Sequence, residues 1–150
     1  MNTIDKKVTN GLAQLLADTY ILYVKTQNFH WNVTGELFYT HHKMFEEQYQ
    51  ALASATDIIA ERIRSLQAPA PATLKEFLEL GTLKEAANNL TATAMIKELL
   101  NNHEQMSKNL TQLFSVAQEG EDEVTLDLFI QRKEEHDKTS WMLRSILEVN

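Results

Sequence analysis

The sequence predicts an all-α protein, four long helices packed as a bundle with a short extra helix in the middle connection. Three observations predict it. Four glycines and two prolines in 150 residues are too few for a chain of many short strands. Apolar residues recur at three-, four- and seven-residue steps, which is a helical and not an alternating pattern. Turn and capping residues fall between these stretches, where helices must start and stop. The length fits one domain over residues 1–150, long enough to bury most of its apolar surface in a single core.

Residues 4–31 set Ile4, Val8, Leu12, Leu15, Thr19 and Leu22 along one face, the buried stripe of the first helix. Asn32-Val33-Thr34-Gly35 ends it, since Asn and Gly readily take helix-stopping conformations. A second helix runs from about Glu36 to Gln67. Phe38, Phe45, Leu52, Ile59 and Leu66 form its heptad seam, with Tyr49, Thr56 and Ile63 interleaved. Ala68-Pro69-Ala70-Pro71-Ala72 breaks the chain, because proline lacks an N–H and restricts the residue before it. Two capping boxes follow, Thr73 to Glu76 and Thr82 to Glu85. The first opens a short helix ended by Gly81, and the second is expected to open a long one to about Gln118. Gly120 is a stop, and Asp122 with Glu123 suit the positive end of a last helix to about Glu148.

Composition removes several functions. There are no cysteines, so disulfides and thiolate metal sites are excluded. The first residues lack the apolar core of a secretory signal, and the longest apolar run, Tyr20 to Val24, is far too short to span a bilayer. The expectation is a soluble, cytoplasmic protein with no membrane partner. A net charge of −7 argues against a nucleic-acid surface and is compatible with attracting cations.

The chemistry gathers on the second helix. With Phe38 at zero and 100° per residue, His42 falls at about 40°, Glu46 at about 80°, Asp57 at about 100° and Glu61 at about 140°. Four metal-ligand types therefore share one flank beside the seam. Any one of them alone reads most simply as part of a solvated polar face. His42 and Asp57 are about 22 Å apart along the helix, so they cannot hold one ion within one chain. No histidine follows a glutamate at the Glu-x-x-His spacing that builds a two-iron site inside a bundle. Two copies of the helix packed antiparallel about a dyad near residues 50–51 resolve this. His42 and Glu46 of one chain then meet Asp57 and Glu61 of the other, in two equivalent sites. The centre of that contact, Ala51-Leu52-Ala53-Ser54-Ala55, is made largely of small residues and permits close approach. His30, just before the turn, can reach back to complete the set; the competing reading is an imidazolium that favours the negative end of the first helix. Two imidazoles with hard carboxylates suit iron (Fe2+/Fe3+), and zinc or manganese can substitute.

The stretch FHWNVTGELFYTHHKMFEEQYQALASATDIIAERIRSL closely resembles the signature of the Dps proteins (DNA-binding proteins from starved cells), the mini-ferritins of the ferritin-like superfamily. The motif combines His30-Trp31, Gly35, His42 and Asp57-x-x-Ala-Glu61-Arg62, and helix lengths and total length fit as well. The resemblance implies a ferritin-like bundle that assembles into a hollow dodecamer. It implies a ferroxidase that oxidises Fe(II), preferably with hydrogen peroxide, at two-fold interfaces, stores the ferric mineral and protects against oxidative stress. Carried over by position, His30 and His42 are ligands and catalytic residues of one subunit, and Asp57 and Glu61 those of its partner. Glu46 stands where the family commonly has aspartate, which bears on a second iron position. Glu119-Gly120-Glu121-Asp122-Glu123 and Asp127 resemble the family's acidic three-fold pore, with Asp122 and Asp127 as the pore residues; capping of a helix start explains the same pattern. Trp31 is expected to be a packed core residue, with quenching of stray oxidising equivalents as the other reading.

The family name suggests DNA, and the alternative function is a nucleoid-compacting structural protein with secondary iron chemistry. The sequence opposes it. Only Met1-Asn2-Thr3 precede the first helix, Lys6 and Lys7 fall inside that helix, and the end, LEVN, has no basic residue. DNA binding is expected to be weak or absent. Elsewhere, His41 points away from the ligand flank, His103 and His136 read as ordinary helix surface, Met95, Met106 and Met142 as core filler, and 133–138 as a solvated charged face.

Overall fold

The computed structural model describes residues 2–148, without the side chain of Ile4. Met1, the end residues Val149 and Asn150, and the place of Ile4 on the first helix face lie outside what is described. Among the described residues five helices follow in order: α1 (Thr3–Asn32), α2 (Phe38–Ser65), α3 (Leu74–Leu80), α4 (Ala92–Glu119) and α5 (Glu123–Ile146). Short connections after α1 and α4 force antiparallel neighbours. α1 packs on α2, α4 and α3, and α5 packs on α4 and meets α2. No helix among the described residues is long and apolar enough to cross a membrane.

The predicted stripes form the core. Val8, Leu12, Leu15, Thr19 and Leu22 of α1 are buried, as are Phe45, Leu52, Ile59 and Ile63 of α2. Phe38, at the top of the α2 seam, is 39% exposed. Met95 and Met106 are core, but Met142 is 47% exposed. The α5 stripe runs Phe129, His136, Ser140, Leu143, and Met142 lies one residue, about 100°, off it.

The connections carry the second correction. Thr73 caps α3 as expected, accepting from the Glu76 N–H. Thr82 opens no helix. Its N–H and hydroxyl, with the Leu83 N–H, are donated to the Asp18 carboxylate at 2.7, 2.8 and 3.0 Å. The Thr82 hydroxyl donates to Asp18 on α1 and accepts from Asn109 Nδ2 on α4 at 3.0 Å, so it caps nothing, and the chain stays irregular until Thr91, which caps α4 through the Ala94 N–H. Gly81 has an ordinary negative φ, and its use is close approach: a Cβ there would lie 2.6 Å from Ile21 and 2.8 Å from Asp18 Oδ1. At the break after α4, Gly120 remains right-handed and Glu121 takes the left-handed conformation, φ 52°.

Candidate metal centre

α1 ends where Val33 caps it and Gly35 adopts φ 116°, a value that favours glycine, so the chain doubles back at once into α2. That reversal lays His30 on His42. The rings stack with centroids 3.8 Å apart and an interplanar angle of 13°. His30 Nδ1 lies 2.8 Å from the His42 carbonyl, and His42 Nδ1 lies 2.7 Å from the His30 carbonyl. A carbonyl only accepts, so each Nδ1 carries the proton and donates. In the neutral ring this leaves the lone pair on Nε2, the tautomer a metal requires, with the ring orientation held by the other nitrogen. His30 is buried and His42 half-buried. Phe38 packs on His42, and Tyr49 meets His30 edge-on.

The carboxylates stand elsewhere. Asp57 and Glu61 are exposed on the distal half of α2, and Glu46 forms an ion pair with Lys43 at 3.3 Å. No three metal-ligand side chains converge among the described residues. One chain thus brings His30 and His42 together and leaves Glu46, Asp57 and Glu61 apart from them.

Of the acidic segment, Asp127 is exposed and holds Gln131, while Asp122 is drawn inward. Asp122 caps α5 through the Thr125 N–H and pairs with Arg62 at 2.9 Å. Desolvation works to raise its carboxyl, but the Thr125 hydrogen bonds and the Arg62 charge outweigh it and hold the group below the usual range. Trp31, expected in the core, is 67% exposed. α2 folds back over the Phe29 and His30 side of the last turn and leaves Trp31 facing out.

Comparison with known proteins follows the same lines. The ferritin-like domain family matches residues 9–149. DNA protection during starvation protein 2 of Bacillus anthracis is 39% identical over 144 residues, covering 96% of this chain and 99% of its own. The crystal structure of a Dps protein from Bacillus brevis superposes with a TM-score of 0.96 at 35% identity, covering 98% and 99% of the two chains. The chain belongs to the Dps family. A Dps structure from Vibrio cholerae, described as a member of a broad superfamily of ferritin-like diiron-carboxylate proteins, matches with a TM-score of 0.93 at 30% identity over 97% and 91% of the chains.

This Dps chain also holds a second histidine pair that sequence reasoning placed on the surface. His103 and His136 are 3% and 1% exposed, with their Nδ1 atoms 2.8 Å apart between α4 and α5. Burial, with the nearby Arg132 charge, pushes His103 down to about 3, and burial, His103 and Arg132 push His136 well below its ordinary value. The charged run 133–138 is likewise only partly solvated. Lys133 and Asp137 converge on the buried Ser107 hydroxyl. The signal was the α5 spacing, which puts His136 seven residues after Phe129 on the same stripe.

Proposed function

We propose that this Dps chain is a mini-ferritin. It oxidises Fe(II), preferably with hydrogen peroxide, at sites shared between two subunits of a dodecameric shell, and stores the ferric mineral as protection against oxidative stress. Membership of the ferritin-like, diiron-carboxylate group supports iron binding and storage. The single observation that carries the shared site is the paired His30 and His42. Two histidines with oriented rings stand together, and among the described residues no carboxylate converges on them to complete a metal site.

Iron is the substrate. His30 and His42 offer neutral nitrogen donors, and Asp57 and Glu61 of a second copy supply the charge that stabilises the ferric product. Glu46, released from Lys43, extends the site toward a second ion. Two ferrous ions each give one electron to the O–O bond of peroxide; it cleaves, and two protons are taken up to form two waters. Consuming ferrous iron and peroxide together removes both reactants of hydroxyl-radical formation.

The test is anaerobic ferrous oxidation after peroxide is added, comparing wild type with Asp57→Asn, Glu61→Gln. Oxidation is expected to be fast in the wild type and to fall by two orders of magnitude or more, roughly, in an intact mutant assembly. Equal rates, no faster than iron in buffer, would remove the ferroxidase assignment.

A further inference from the structure

Lys43 is the one lysine in the α2 sequence, and it stands among the site residues. With Phe38 at zero it falls at about 140°, the angle of Glu61, on the flank that carries His42, Glu46 and Asp57. Its ammonium is held twice. Nζ lies 3.3 Å from Glu46 Oε2 and 5.9 Å from the centre of the Tyr39 ring, one turn back along the helix. A half-exposed ion pair of this kind adds little to stability. Its consequence is for Glu46, whose carboxylate already holds a cation before any metal arrives.

The antiparallel pairing of two α2 helices brings the ammonium further carboxylates. About a dyad near residues 50–51, position 43 of one chain faces position 58 of the other, beside Asp57 and within a turn of Glu61. Each shared site then gathers three carboxylates, Glu46 from one copy and Asp57 and Glu61 from the second, around two neutral imidazoles. One ferrous ion and one ammonium balance that charge in full. A second divalent ion entering beside them would bring charge with no partner, and repulsion between neighbouring cations grows as the site is shielded from water.

We infer that Lys43 is a built-in cation at the second metal position, which holds the resting site to one tightly bound ferrous ion. The inference rests on the shared site proposed above. A second ion gains Glu46 only by displacing the ammonium, which swings into solvent on its flexible stem. Tyr39 steadies the ammonium over Glu46 through its ring face. Lys43 is thus a positioning residue: it acts on iron through Glu46 and makes the two ions load in sequence.

Zinc, which has no redox chemistry, tests this by calorimetric titration of the metal-free assembly. Wild type is expected to take one tight ion per His30–His42 pair. Lys43→Met should bind a second ion about tenfold more tightly than wild type does, or better, and the gain should shrink as salt is raised. Adding Glu46→Gln should remove the gained ion, and Lys43→Arg, which keeps the charge, should behave as wild type. Two tight ions in the wild type, or a Lys43→Met titration that superposes on the wild type, overturns the role of Lys43 and leaves the shared site standing. No tight zinc in the wild type overturns the shared site itself, and this inference with it.

Discussion

At the scale of single residues, the two histidine pairs show how burial and partner choice divide one side chain into two roles. His30 and His42 give their Nδ1 protons to carbonyls and keep Nε2 open. His103 and His136 bond to each other and are held neutral in the core. The second pair makes stability depend on pH. Both groups have folded values below the unfolded value of 6.5, so the unfolded chain binds more protons wherever the two differ. The stability they contribute is complete above pH 6.5 and is lost as pH falls from there toward about 3. Equilibrium unfolding between pH 6.5 and 4 should show this slope, and His103→Gln, His136→Gln should flatten it by up to two protons. An unchanged slope would mean the pair is already charged in the native state.

At the scale of elements, the connection between α3 and α4 depends on one carboxylate from α1. Asp18 takes three donors from Thr82 and Leu83, although burial, the dominant influence, still raises its carboxyl above the ordinary value. Asp18→Ala leaves those donors unpaired and should cost about 2–4 kcal/mol in denaturant unfolding, with new proteolytic cuts in 82–90. Stability within about 0.5 kcal/mol of wild type would show that water replaces the carboxylate. The same contact explains what the sequence could and could not reveal. Thr82 and Glu85 satisfy a capping box in isolation, and the competitor, Asp18, is 64 residues away in sequence. Thr73 and Thr91 meet no such competitor, and both cap helices. The α1 and α2 stripes were legible because periodicity is local. Trp31 was misplaced because its exposure follows from where α2 folds back over α1, and Met142 because it lies about 100° off the buried stripe of α5. In the site, the meeting of His30 and His42 was legible from the turn between them, whereas the reciprocal carbonyl bonds follow only from the folded geometry.

At the scale of the whole molecule, charge dominates. Each chain carries −7, and assembly multiplies that charge on one particle. Intact plasmid at physiological salt, with no divalent ions added, should migrate unchanged beside the assembled protein. A retarded band would restore the nucleoid-compacting reading. The same acidity accords with a cargo of cations drawn in from solution.

The reciprocal bonds between His30 and His42 bear on the order of events in a cell. A newly made chain, before it meets another, already has its histidine rings set, while Asp57 and Glu61 stand exposed far along α2. Under the proposed function such a chain is a safe precursor: it offers half a centre and performs no turnover. Activity would appear only when a second copy docks, and the same docking begins to build the enclosure that receives the product. Ferric oxide would then form only where there is a container for it, and newly synthesised protein would not precipitate iron around the ribosome.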